Sequence, residues 1–144
     1  MKYLPVSLNI KNKKVLVVGG GKVALQKINV LLKFTPHITV IAKDICDGIK
    51  EKGLKTKIKA FKKSDLIGFY LVYACTNLRK LNASIKKDAN KLKCLVNVAD
   101  DPELCDFIMP AIFKKGYMSV AVSSDGQNVK KSVQWRGKIK AILK

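Results

Sequence analysis

Acidic side chains are scarce in this 144-residue chain: 10 Asp plus Glu stand against 29 Lys plus Arg, for a formal net charge of +19. Histidine is scarcer still, with His37 alone, and the four cysteines (Cys46, Cys75, Cys94 and Cys105) form no CxxC pair. The ligand spacings of a structural zinc site are therefore missing, and no metal is expected. No run approaches the ~20 apolar residues of a membrane span. The opening MKYLPVSLNIKNKK lacks the apolar core and cleavage site of a signal peptide. These absences set the expectation of a soluble, cytoplasmic protein with no membrane partner and reduced thiols. Cys75 and Cys94 lie in or beside apolar runs, where cysteine behaves as a small buried hydrophobe.

What is present is apolar content of 48% in a chain long enough for one core, within the range of a single domain. The excess positive charge attracts polyanions. No helix-turn-helix, RNP or zinc-finger pattern accompanies it, so nucleic acid has charge alone behind it and is not an expected partner. A polycarboxylate metabolite accounts for the charge equally well, and so does a lysine-rich solvated surface.

Apolar patterning organises the chain. Lys13 to Val18 (KKVLVV) is a β-branched run ending at Gly19, Gly20 and Gly21, as a buried parallel strand would. KVALQKINVLLKF then places Val23, Ile28, Leu31 and Leu32 near helical spacing, Pro36 ends the helix, and His37 to Ala42 reads as a second strand. That is one βαβ unit. Further along, Thr56 to Phe61 alternates, Phe69 to Cys75 is a buried strand, and Thr76 or Asn77 is placed to cap a helix running to about Leu92. Cys94 to Val98 is another strand. FIMPAIF and YMSVAVSS follow with no room for a helix between them, which predicts antiparallel strands, and a turn at Ser124 to Gly126 leads into a basic helical remainder. The predicted fold class is α/β: a Rossmann-type doubly wound parallel sheet over 1–110, with a small appendage of antiparallel strands and a helix over 111–144.

Gly19-Gly20-Gly21-Lys22-Val23-Ala24 fits G-x-G-x-x-A, the dinucleotide fingerprint. Gly19 permits the tight turn, Gly21 lets backbone approach a pyrophosphate, and Ala24 lets helix pack on strand. The N–H groups and positive dipole end of the helix receive the phosphates. The signal gains specificity from its context after a strand, before an amphipathic helix and inside a βαβ unit of ~30 residues. A carboxylate near the end of the second strand binds the adenosine ribose in such folds. Asp44 is the nearest, one or two residues late, while Lys43 beside it suits a 2′-phosphate. The expected cofactor is NAD, with NADP open on these residues alone. The expected cofactor-binding set is Gly19, Gly20, Gly21, Lys22, Val23, Ala24, Lys43, Asp44 and Thr76.

Beyond Cys94 to Val98 runs Ala99-Asp100-Asp101-Pro102-Glu103. Ligands of doubly wound sheets bind outside the carboxyl ends of the strands, and Asp100 stands just past one. The same residues also suit an ordinary turn.

YLPVSLNIKNKKVLVVGGGKVALQK, VNVADDPELCDFIMPAIF and SVAVSSDGQ, in that order and spacing, resemble the precorrin-2 dehydrogenase domain of siroheme synthase. The resemblance covers nearly the whole chain. It implies NAD-dependent oxidation of precorrin-2 to sirohydrochlorin, with ferrous iron insertion in some members. It places the family's key aspartate on Asp100 as the catalytic residue, the serine of its turn motif on Ser124, and dinucleotide contacts on Lys22, Val23, Lys43 and Asp44. Asn97 and Ser124 become expected substrate-binding residues. It further implies a homodimer joined through 111–144, and a polycarboxylate tetrapyrrole as the partner that the basic charge would steer in. Two departures from the family pattern stand out. A further helical region common after the turn motif is expected to be absent, and Asp125 replaces a common glycine. A non-catalytic Rossmann protein that binds NAD or a tetrapyrrole and acts with a partner is the alternative function.

Overall fold

The computed structural model describes residues 2–143. The chain forms two compact units, Leu8–Phe107 and, together, the residues up to Ser7 and those from Ile108 onward.

In the larger unit, β1 (Val15–Val18), β2 (Ile38–Ala42), β3 (Lys55–Ile58), β4 (Leu71–Ala74) and β5 (Leu95–Val98) form one parallel sheet in the order β3-β2-β1-β4-β5. The VLVV and LVYA strands are buried at every position, because a parallel sheet is covered on both faces and its strands read as continuous apolar runs. β3 is the exception. Its KTKI sequence is exposed throughout, and charged side chains keep such an edge from pairing with other chains.

α1 (Lys22–Leu31) buries Ala24, Ile28 and Leu31, and α3 (Arg79–Lys91) buries Asn82, Ile85 and Ala89, the spacing of one helical face. Ile85 and Ala89 pack among Leu16, Val18, Val72, Val96 and Val98. A short helix that the periodicity did not predict, α2 (Asp47–Lys50), follows β2. The connection from β1 through α1 moves one way across the sheet, and that from β4 through α3 moves the other. Right-handed crossovers then set the two helices on opposite faces. The order reverses between β1 and β4, and that switch point is where open α/β sheets bind ligands.

The smaller unit holds an antiparallel pair, β6 (Ala111–Lys115) and β7 (Met118–Val122), turned at left-handed Gly116 (φ 59°), followed by α4 (Val129–Ile142). The Asn128 side chain caps α4 by accepting from Lys131 N at 2.9 Å.

Two local expectations are corrected. The strand anticipated from Phe107 begins only at Ala111. Pro110 has no N–H to offer a ladder, and the Phe107 carbonyl accepts from the Asn97 amide instead. The residue capping α3 is Leu78 rather than Thr76 or Asn77, and no side chain caps that helix. The Thr76 hydroxyl is engaged elsewhere, as described below.

Candidate active site

The parallel register aligns the strand ends. Val18 pairs with Ile41 and Ala74, and Ala74 pairs with Val98. Gly19, Lys43, Cys75 and Ala99 therefore leave the sheet at the same edge, which brings the glycine loop and the Asp100 segment to one crevice.

Each glycine of the loop has a different reason to be there. Gly19 has φ 129°, and a Cβ on it would lie 2.4 Å from the Cys75 carbonyl oxygen. A Cβ on Gly20 would lie 2.0 Å from the Asp44 carbonyl oxygen, and the Gly20 carbonyl accepts from Cys46 N at 2.8 Å. The fingerprint leaves the Gly20 position free, yet here it docks the segment after β2 onto the loop. Replacing Gly20 with Ala should cost stability by about 1–3 kcal/mol, as overpacking does, read as a lowered melting temperature. An unchanged melting temperature would show that the two segments are not in contact.

Gly21 differs, because a Cβ there meets no atom within 4 Å. It is the N-cap of α1, with no side-chain capping bond, and the first helical hydrogen bond runs from Leu25 N to Gly21 O at 3.0 Å. The N–H groups of Lys22, Val23 and Ala24 come before any helical acceptor. Packing within the fold does not require glycine at 21, whereas close approach of a phosphate does. The residues present thus fit a dinucleotide. Ala24 is fully buried, Lys22, Val23, Lys43 and Asp44 are exposed, and the Asp44 backbone lies against Gly20.

At the ends of β4 and β5 a hydrogen-bonded chain links Thr76, Asn82 and Asp100. Asn82 is completely buried. Its Oδ1 accepts from Thr76 N at 3.2 Å and from Thr76 Oγ1 at 2.6 Å. Its Nδ2 donates to the Thr76 carbonyl and to Asp100 Oδ1, both at 3.0 Å. Thr76 Oγ1 also accepts from Leu78 N at 3.2 Å.

The other acids of this segment are engaged differently. Asp101 pairs with Arg79 at 3.1 Å. Asp106 pairs with Lys86 and accepts from Val96 N at 2.9 Å. Among the described residues Asp100 has no cation within ion-pair distance, so its charge is not neutralised within its own unit. Burial pushes the neighbouring Cys75 thiol up to about 12, with Lys27 opposing and Asp100 adding to the rise. That thiol is inert near neutral pH. Asn97 is buried, donates to the Phe107 carbonyl at 3.0 Å and, among the described residues, leaves its Oδ1 without a partner.

Ser124 lies in the smaller unit. Residues 2–5 and 123–125 line a cavity there of about 620 Å³. Ser124 Oγ accepts from Asn128 N at 2.9 Å. Asp125 is left-handed at φ 60°, a conformation in which glycine, Asn and Asp are the tolerated residues. Its Oδ1 accepts from Tyr3 N at 2.7 Å, so this carboxylate ties the N-terminal segment to the turn.

Asn82 is the participant that reading the sequence missed. The available signal was a polar residue inside the apolar stripe Asn82, Ile85, Ala89.

A glycine loop opening a helix at the switch point of a parallel sheet defines a Rossmann-type dinucleotide-binding protein. A family model described as "Putative NAD(P)-binding" matches residues 6–111. The siroheme synthase of Buchnera aphidicola subsp. Acyrthosiphon pisum is 41% identical over 147 residues, 99% of this chain and 31% of the relative. That of Vesicomyosocius okutanii subsp. Calyptogena okutanii is 40% identical over 131 residues, 88% of this chain and 28% of the relative. The chain thus spans less than a third of the length of these curated relatives. A solved structure described as SirC, precorrin-2 dehydrogenase, superposes with a TM-score of 0.85 at 30% identity, covering 97% of this chain and 70% of that one. The chain belongs to the precorrin-2 dehydrogenase and siroheme synthase N-terminal domain family.

Proposed function

We propose that this protein is a cytoplasmic NAD-dependent dehydrogenase that oxidises precorrin-2 to sirohydrochlorin. The observation that supports the reading best is the convergence of the open Gly21 loop and the unneutralised Asp100 carboxylate at one sheet edge. When bound, NAD supplies the hydride acceptor. The loop and the first turn of α1 hold its phosphates, Asp44 or Lys43 meets its adenosine ribose, and Asp100 accepts the proton that leaves the macrocycle with the hydride. The precorrin loses one hydride and one proton. Exposed lysines provide counter-charge for the substrate carboxylates, and Asn97 and Ser124 are proposed substrate-side positions. The test is whether the purified chain converts precorrin-2 when given NAD under anaerobic conditions.

The homodimer is part of this proposal. Among the described residues of the smaller unit only Ser132 is buried, while Tyr117, Met118, Val129, Trp135 and Ile142 are exposed, Tyr117 at 95%. So small a unit cannot bury enough apolar surface by itself, and a second copy would cover these side chains. Light scattering at micromolar concentration should give twice the chain mass. A monomer would remove this part of the proposal.

A further inference from the structure

We propose that Asn82 is the positioning residue for Asp100, holding the carboxylate where it takes the substrate proton; this rests on the reading of Asp100 as the base. The orientation of the Asn82 amide follows from its backbone partners. The Thr76 N–H can only donate and the Thr76 carbonyl can only accept, so Oδ1 must face the former and Nδ2 the latter. The remaining Nδ2 hydrogen then points to Asp100 Oδ1. The amide is thereby locked into presenting a donor to the carboxylate. Thr76 Oγ1 strengthens the lock by donating to the same Oδ1.

The arrangement matters because Asp100 has little else to hold it. It is exposed, two residues beyond the end of β5, and among the described residues Asn82 is the only hydrogen-bond partner of its side chain. Asn82, in contrast, is fully buried on α3, the helix that joins β4 to β5. One amide thus ties the segment after β4 to the segment after β5 and passes the rigidity of the core to an exposed base. A misplacement of about 1 Å costs on the order of 100-fold in rate.

The test is a double-mutant cycle on the full chain with precorrin-2 and NAD. Asn82→Asp is nearly isosteric and keeps the acceptor toward Thr76 N and Oγ1, but it removes the donors to Asp100 and to the Thr76 carbonyl. It should lower kcat by about 100-fold while leaving the KM for NAD and the directly titrated NAD affinity unchanged. In an Asp100→Asn background the same change should lower kcat by less than about twofold, because a positioning residue has nothing left to position. Additive losses in the two backgrounds, or a fall in NAD affinity matching the fall in kcat, would overturn the proposal. Should Asn82→Asp fail to fold, Asn82→Ser takes its place with the same two criteria. If Asp100→Asn retains full turnover, the reading of Asp100 itself fails, and that result differs from additivity.

Discussion

A Gly21→Val variant is expected to bind NAD about 100-fold more weakly, a loss of about 2.7 kcal/mol, while remaining folded. The two halves of this expectation have separate causes. A valine side chain at 21 enters space that no protein atom occupies within 4 Å, and the backbone there, at φ −97°, is one any residue adopts. The fold therefore loses only the modest preference of an N-cap for glycine over valine, roughly 1 kcal/mol. The same space is where a pyrophosphate would approach the N–H groups of the first turn. Isothermal titration with NAD beside a thermal melt reads both. Unchanged affinity in a folded variant would show that this loop is not the phosphate site. Gly20 provides the contrast: a Cβ there strikes backbone at 2.0 Å, so its replacement harms folding first and binding only as a consequence.

The second large effect is expected at Asp100. Asp100→Asn should reduce sirohydrochlorin formation by about 100-fold to 10,000-fold, the range for a lost general base, with NAD affinity nearly unchanged because phosphates and ribose are held elsewhere. Its neighbour is the control. Asp101→Asn gives up a pairing with Arg79, whose side chain is 77% exposed, and exposed pairs of this kind contribute ~1 kcal/mol or less; turnover should be unaffected. Stopped-flow absorbance of the product distinguishes the two variants. Damage from Asp101→Asn with Asp100→Asn silent would move the base by one residue, and silence at both would reduce Asp100-Asp101-Pro102 to a turn.

Much of this architecture was legible because single physical rules governed each segment. Four of the five sheet strands are short apolar or β-branched runs bounded by turn residues, and in a sheet covered on both faces nothing competes with that pattern. The exposed β3 was visible only as a polar and apolar alternation. Its start at Lys55 and the four-residue α2 before it were harder to read, since neither depends on a buried stripe for its stability. The strand expected from Phe107 failed for a different reason. The residues are apolar and β-prone, but Pro110 cannot join a ladder and a side chain from β5 takes the Phe107 carbonyl, which no local pattern announces.

The site divides along the same line. The glycine loop and Asp100 could be found because spacing and strand ends dictate them. Asn82 could not, since its role depends on two segments separated from it by 6 and 18 residues meeting at one amide. Thr76 shows the limit of a purely local argument: it suited a helix cap and a cofactor contact, and the structure gives its hydroxyl and N–H to Asn82. Asp125 is similar. Its left-handed backbone is one that suits glycine, and only the contact with Tyr3 shows what the carboxylate adds.

The most direct measurement is an anaerobic incubation of the purified chain with precorrin-2 and NAD, following NADH and sirohydrochlorin absorbance together. The account predicts that both rise in equal amounts, that neither rises without NAD, and that Asp100→Asn suppresses both. Saturable binding of NAD and precorrin-2 with no NADH and no sirohydrochlorin formed would contradict it and make the chain a binding protein rather than an enzyme.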